Sequence, residues 1–432
     1  MILYDKINEQ LPEWRERVVK LLKENGNKVA GEVTIAQIYG GMRGVKALVT
    51  DISYVDPNEG IRYRGHTLPD VVKELPKPEG AEMPYVGGLY YLLMTGEFPT
   101  AEQALEVESA WATRSHVPSH VFKVLRDMPD NTHPMALFSQ AILTLQSNSE
   151  FAKRYAEGMS KMDYWKPALD DALHLTSKLG VIAAFIYRMK YGDGAEPTYD
   201  PKLDYGANFA QMMGVDDPEY ADLARLYFIL HADHESGNVS AHTMHLVGSS
   251  LSDIFYAFSA AMNGLAGPLH GLANQNCLAF VMGIQKKFNG VPSKEELTEF
   301  AWDTLNSGRV IPGYGHAVLR TPDPRYTEQF KFAREHFPDD ELFGIVEVMD
   351  DVIPAVLKEQ GKAKNPWPNV DAVSGTLQYH YGVTEFDFYT VLFGVGRAFG
   401  VTANYVWARA LGQPIERPKS LTTAMLEDIA AK

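Results

Sequence analysis

Asn263-Gly264-Leu265-Ala266-Gly267-Pro268-Leu269-His270-Gly271-Leu272-Ala273-Asn274-Gln275 lies inside a longer segment, Ile254 to Gln285, whose thirty-two residues include no Asp, Glu, Lys or Arg. Apolar residues recur at helical spacing on either side of it. Gly267-Pro268 and Gly271 interrupt that pattern, so His270 sits where one helix breaks and another starts. Burial and a helix N-terminus both disfavour imidazolium, which keeps His270 neutral at pH 7. A neutral imidazole still has one N–H to donate to an oxygen that gains negative charge. Taken alone, a core histidine satisfied by a backbone carbonyl is the simpler reading.

Outward from this stretch the chain reads as helix almost throughout. An amphipathic helix spans Asp5 to Lys28, with Leu11, Trp14, Val18, Leu21 and Leu22 in register. From Glu32 to Gly65 β-branched and aromatic residues take over, punctuated by Gly40-Gly41 and by Asp56-Pro57-Asn58-Glu59-Gly60. Two or three short strands with a turn at Pro57–Gly60 are expected there. After His66 apolar stripes recur in Pro84–Thr95, Ala101–Ser115, Pro134–Gln146, Ala168–Lys190, Tyr220–His231, Ala241–Asn263, Leu272–Phe288, Lys294–Asn306, Asp340–Glu359 and Asp387–Leu411. The class is mainly α with one small β element near the N-terminus. Composition shifts near residue 275, where mixed-charge helices with Pro-rich joints begin, and nearly uncharged helix returns from Tyr389. That implies a discontinuous large domain, 1–274 and 381–432, around a smaller one, 275–380, hinged near His270 and Ser374.

At 432 residues the chain exceeds one ordinary core, which agrees with a two-domain reading. Apolar content of 45% and charged content of 22% are those of a globular protein. No apolar run reaches membrane-spanning length without Gly, Pro, Asn or a charge, so no membrane partner is expected. One cysteine, Cys277, excludes an internal disulfide and a cysteine-based zinc site. The Met1 start has no signal-peptide pattern and no Arg/Ser-rich transit segment. A cytoplasmic enzyme is therefore expected, with a mature mitochondrial matrix protein as the alternative. Net charge of −15 argues against nucleic acid as partner. An anionic substrate would need cations gathered locally against that field.

Four constellations carry possible chemistry. His231-Ala232-Asp233-His234-Glu235, followed by His242 and His245, invites a zinc hydrolase reading. Ser236-Gly237-Asn238 breaks the helix between the pairs, and no His-Glu-x-x-His spacing occurs, so no metal is expected. In Ser307–Tyr326, Pro312-Gly313-Tyr314-Gly315 forces a loop whose backbone faces a ligand; His316 closes it, and Arg320 and Arg325 follow. Lys362-Ala363-Lys364-Asn365-Pro366-Trp367-Pro368 leads to Asp371, which is either a helix cap or a fixed general base. Arg397 lies in an apolar helix, where a buried guanidinium demands a carboxylate. Arg417 stands in Glu416-Arg417-Pro418-Lys419-Ser420.

The runs His231–His245, Asn263–Gln275, Gly308–Tyr326, Lys362–Gly375, Phe393–Gly400 and Glu416–Ser420 closely resemble citrate synthases of the eukaryotic, homodimeric type. The likeness includes Gly40-Gly41-Met42-Arg43-Gly44, and it departs at Ser236, at Thr321-Pro322 and at Val373. The resemblance implies a two-domain helical fold and the condensation of acetyl-CoA with oxaloacetate to citrate and CoA, through an enol or enolate and citryl-CoA. It makes Asp371 the base, His270 the donor to the enolate oxygen and His316 the group that polarises and protonates the oxaloacetate carbonyl. It assigns His234, Arg325, Arg397 and Arg417 to oxaloacetate or citrate, with Arg417 supplied by the other subunit of a homodimer. It brings Arg43, Lys153, Arg320, Lys362 and Lys364 to coenzyme A, and the backbone of Val310, Gly313, Tyr314 and Gly315 to its adenine. No cofactor or metal is implied, and a cleft that closes on oxaloacetate is expected. A 2-methylcitrate synthase using propionyl-CoA is the nearest rival, since one methylene is discriminated by only about 1–3 kcal/mol.

Overall fold

The computed structural model describes residues 1–431. Its helices in the N-terminal half are α1 (Ile2–Asn25), α2 (Ile35–Tyr39), α3 (Leu68–Glu74), α4 (Val86–Thr95), α5 (Ala101–Ala112), α6 (Ser119–Arg126), α7 (Pro134–Thr144), α8 (Glu150–Ala156), α9 (Trp165–Tyr191) and α10 (Tyr205–Met213). There follow α11 (Pro218–His231), α12 (Val239–Ser249), α13 (Ile254–Leu265), α14 (Ala273–Phe288), α15 (Lys294–Asn306), α16 (Pro324–His336), α17 (Glu341–Gln360), α18 (Asp371–His380), α19 (Tyr389–Ala410) and α20 (Thr423–Ala430). Most begin on a Ser, Thr, Asp or Asn whose side chain accepts a first-turn N–H, as at Asp204, Asn238, Asp253, Ser293 and Asp323.

The expected β element is an antiparallel sheet of β1 (Ser53–Asp56), β2 (Gly60–Tyr63) and β3 (His66–Thr67), in that order. Ser53 pairs with Tyr63 and Val55 with Ile61. Asp56 Oδ1 accepts the N–H groups of Asn58 and Glu59 at 2.8 and 3.0 Å and so makes the turn. The sheet braces two later segments. Ser53 Oγ donates to Asp233 Oδ2 at 2.7 Å and accepts from Glu235 N at 2.8 Å. At the tip, Gly60 has φ +87° and a Cβ there would lie 2.4 Å from Pro324, so only glycine lets the hairpin touch the start of α16. The apolar residues of Glu32–Gly65 do not all pair: α2 precedes the sheet, closed by a Thr34–Gln37 capping box.

The helical stripes are found with their ends shifted by a few residues, with one correction. Ala241–Asn263 is two helices, α12 and α13, because Leu251 takes φ +67° and Asp253 caps a new start. The long helices α9 and α19 pack on one another and on α13, and α19 also packs on α11 and α12. Their residues are buried nearly all round, among them Trp165, Phe185, Tyr389 and Phe399. Burial of this kind gives the core its stability, since apolar area leaves water at about 25 cal/mol per Å². Helices α14 to α18 pack chiefly on each other, while α16 also meets α3 and α11. After Gly412 the chain is mostly exposed, and α20 buries only Leu426.

Candidate active site

His270 lies in the turn between α13 and α14, where the broken pattern placed it. Ser240 N, in the first turn of α12, donates to His270 Nε2 at 3.3 Å, and Ser240 Oγ lies 3.0 Å from the same atom. Nε2 is thus an acceptor, which leaves the proton on Nδ1. Burial first, then the charge of Arg397, pulls the imidazole down to about 4, so the ring is neutral. His316 has the opposite tautomer. Its Nδ1 accepts from Val318 N and Leu319 N, both at 3.0 Å, and the proton sits on Nε2. Burial, followed by Arg325, takes it to about 4. The site therefore holds two neutral imidazoles, each with one N–H to spare.

The His316 ring stands 5.3 Å from that of His234, which follows the C-terminus of α11. Burial holds His234 well below its usual value, helped by Arg325, His316 and Arg397. Arg325 opens α16 and is 4% exposed; its Nε and Nη2 bond Asp323 at 3.1 and 2.7 Å. Burial would raise Asp323, but the Arg325 guanidinium holds it below the ordinary carboxylate range. That pairing fixes the fork and leaves Nη1 for a ligand.

Arg397 is 1% exposed in the middle of α19. Its Nη1 donates to Asn238 Oδ1 at 2.9 Å and Ser240 Oγ at 3.2 Å, and its Nε to His231 O at 3.4 Å. It lies over the Phe393 ring, 4.8 Å from the centroid. Among the described residues no carboxylate forms a salt bridge with it, and burial draws it down to about 10. The buried Asp233 opposes that shift through space without bonding the guanidinium, and a buried cation with no bonded carboxylate suits an anionic ligand.

Asp371 is the first residue of α18, and Val370 occupies the cap position. The capping alternative fails: the Asp371 carboxylate caps nothing, and its N–H donates to Asn369 Oδ1 at 3.0 Å. Burial raises this carboxyl to about 6, although the Arg325 charge opposes the shift. Asn369 also donates from Nδ2 to Gly315 O at 3.0 Å and from its backbone N to Gly313 O at 2.9 Å. One side chain thus ties the Asp371 helix to the loop that carries His316. Gly313, at φ +80°, lets the loop approach: a Cβ would meet Cys277 Sγ at 2.8 Å and Ala372 Cα at 2.9 Å. Gly315 N donates to Trp367 O at 3.0 Å, and Tyr314 bridges to Pro368.

Other expected contacts are placed less directly. Val310 is 81% exposed at the loop's entrance, and Lys362 and Lys364 are exposed in the segment that leads to Trp367. Arg320 turns back on its own loop, donating to Val318 O and Leu319 O at 2.8 and 2.7 Å. Arg43 is exposed in the turn after α2, and Lys153 on α8 lies 3.7 Å from Glu150; neither side chain bonds the 308–326 loop within this chain. Arg417 is exposed on the C-terminal segment. The histidine cluster disperses. His231 stacks on Tyr227 with its Nδ1 on Tyr227 O, His234 joins His316, and His242 and His245 face Glu416 at 2.8 and 3.7 Å. The zinc hydrolase reading thereby loses its geometric basis.

Reading the sequence alone did not assign roles to Asn238, Ser240, Asp323 and Asn369. The signal for two of them was present: Asn238 and Asp323 stand directly before helices α12 and α16 as caps. Together the groups can grip a multiply anionic carbonyl compound, take a proton from carbon and stabilise the resulting oxyanion.

A family model described as citrate synthase, C-terminal domain, matches residues 41–419. The chain is 51% identical over 430 residues to the mitochondrial citrate synthase of Saccharomyces cerevisiae, covering 100% of this chain and 90% of that one. It is 51% identical over 431 residues to a probable mitochondrial citrate synthase of Glossina morsitans morsitans, covering 100% and 93%. Among solved structures, the citrate synthase of Pyrobaculum aerophilum superposes with a TM-score of 0.78 at 25% identity, over 92% of this chain and 95% of that one. The Thermoplasma acidophilum enzyme, solved with carboxymethyl coenzyme A and oxaloacetate, gives 0.75 at 22% identity over 91% and 97%, which speaks for the fold alone.

Proposed function

The chain belongs to the citrate synthase family, and on that premise we infer that the cleft around Arg397, His270, His316 and Asp371 is its active site. The enzyme joins the methyl carbon of acetyl-CoA to the carbonyl carbon of oxaloacetate and releases citrate and CoA, consuming water. Asp371 takes a methyl proton as general base; a carboxyl near 6 is mostly ionised at pH 7 and still basic enough to accept it. His270 Nδ1–H donates to the thioester oxygen as charge moves onto it. The enol carbon then attacks the carbonyl carbon, whose oxygen takes its proton from His316 Nε2. Water hydrolyses the citryl thioester.

His234, Arg325 and Arg397 hold the substrate carboxylates, and Arg417 joins them from the second subunit of a homodimer. Coenzyme A lies along Val310, Gly313, Tyr314 and Gly315, its phosphates met by Arg320, Lys362 and Lys364, with Arg43 and Lys153 as further cationic contacts. The large domain is 1–274 with 381–432 and the small one 275–380, and oxaloacetate draws them together. No resident metal or cofactor is needed by this chemistry. The Saccharomyces and Glossina relatives are mitochondrial proteins, which supports the matrix alternative; the cytoplasmic expectation has no support from them.

The observation that carries the site assignment is Arg397, fully buried and, among the described residues, bonded to no carboxylate, with only the through-space charge of Asp233 to offset it. The test is thiol release from acetyl-CoA, with and without oxaloacetate, in wild type and Arg397→Gln. Release should depend strictly on oxaloacetate. Losing two charge-assisted hydrogen bonds should raise the oxaloacetate KM on the order of a hundredfold. An unchanged KM in Arg397→Gln would refute the assignment. Propionyl-CoA in the same assay measures the 2-methylcitrate activity.

A further inference from the structure

At the ends of α11 and α18 remote from the cleft, a second group of titratable side chains joins parts of the chain that the reaction does not use. Helix α11 runs from Pro218 to His231, so its start lies about 20 Å from the active-site end. Here His336, the last residue of α16, has its ring stacked on Phe332 with centroids 4.1 Å apart, and its side chain is 10% exposed. Its Nε2 faces Glu82 Oε2 at 3.1 Å, and its Nδ1 faces Glu219 Oε1 at 3.4 Å. Glu219 is held in turn by the Tyr381 hydroxyl, which donates to Oε2 at 3.0 Å. Glu82 is set by its backbone: Glu82 N and Met83 N both donate to Asp222, at 3.1 and 2.9 Å. Glu335 completes the group, and one ligand atom each from Glu82, Glu335 and His336 lie within 4.8 Å of one another.

The chemistry of this donor set is specific. One imidazole nitrogen points to a carboxylate ligand while the other points to a second carboxylate that fixes its tautomer; metal-bound histidines are held in this way. Three carboxylates surround one imidazole, and no lysine or arginine pairs with any of them among the described residues. A divalent cation would offset that charge, and one nitrogen with two carboxylate oxygens suits zinc and its neighbours better than calcium or magnesium. We propose that Glu82, Glu335 and His336 Nε2 bind a zinc-class divalent cation, with Glu219 orienting the imidazole, and that the ion clips α16 to the Glu82 loop and α11. Resting on the two-domain reading above, that clip restrains the small domain against the large one and slows closure without touching substrate.

The test is equilibrium dialysis of Zn²⁺ against the metal-free full-length protein, comparing wild type with Glu82→Gln, His336→Gln, Glu219→Gln and Glu416→Gln. Wild type and Glu416→Gln, which disables the His242/His245 pair, should take up one ion per chain at the same affinity. Glu82→Gln and His336→Gln should bind at least tenfold more weakly, and Glu219→Gln on the order of tenfold or more. Zinc should raise the melting temperature of wild type and leave that of His336→Gln unmoved. Undiminished binding in His336→Gln, or none in wild type at millimolar zinc, overturns the site. Saturating zinc should lower kcat for thiol release in wild type and Glu416→Gln but not in His336→Gln, with the oxaloacetate KM unchanged. Zinc that binds through His336 yet leaves kcat intact refutes the restraint, while a chain with no condensing activity refutes the proposed function and leaves the binding result standing.

Discussion

Asp371 and the two imidazoles divide the pH axis between them. The carboxyl near 6 must be ionised to accept a proton, whereas His270 and His316, near 4, remain neutral donors throughout the working range. Hence kcat/KM for acetyl-CoA should fall as pH drops below about 6, approaching tenfold per unit, and the limb belongs to the carboxylate. A profile flat to pH 5 would remove Asp371 as base. Stability has the opposite sign. A carboxyl raised from 3.8 to about 6 on folding costs stability above that window and ceases to do so as pH falls through it. Asp371→Asn should therefore be inactive and yet more stable at pH 7, by about 1–2 kcal/mol after allowing for solvent at a half-buried group, which a denaturation midpoint measures. His270 and Arg397 stood out by residue type and local setting, a histidine between glycines and proline and an arginine in an apolar helix, whereas the roles expected of His316 and Asp371 came from the family resemblance. Ser240 and Asn369 were not legible, since what they contribute is an oriented hydrogen bond that neither residue type nor spacing records.

Among elements, the junction of α12 and α13 shows where periodicity misleads. Both helices turn apolar faces to the same core, so the stripe from Ala241 to Asn263 continues across the break, and only Ser250-Leu251-Ser252-Asp253 marks it. Asp253 Oδ1 accepts from Phe255 N and Tyr256 N at 3.0 and 3.2 Å, while Oδ2 accepts from Gln146 Nε2 at 2.8 Å. Asp253→Ala removes both cap and tie and should lower stability by about 1–2 kcal/mol, whereas Asp253→Asn should keep most of it. Equal denaturation midpoints for wild type and the alanine variant would deny the cap its role. The same physics explains the helices that no stripe predicted. Helices α2, α3, α6, α8, α10, α16, α18 and α20 span 5 to 13 residues. Two of them, α10 and α18, are buried on most sides, so no polar face alternates with an apolar one.

The whole molecule carries −15, yet its cleft gathers Arg325, Arg397 and neutral histidines, so an anion is drawn by local placement against the global field. One arginine proposed for the substrate carboxylates bonds none of the cleft residues within the single chain. Arg417 is exposed on a segment that buries little, near exposed Ile415, Leu421, Met425 and Ile429. Apolar side chains in such numbers along one terminus fit a surface that a second subunit covers. A homodimer in which Arg417 crosses to the other subunit's site makes a quantitative prediction. Arg417→Ala and Asp371→Ala should each be inactive alone. In a mixed dimer, one site keeps its own Asp371 and receives Arg417 from the neighbour, while the other site lacks both. Random exchange of equal amounts makes half the dimers mixed, so turnover should recover to about a quarter of wild type. If mass measurements show full exchange and activity stays absent, Arg417 serves its own chain or no site at all, and the shared-site reading falls.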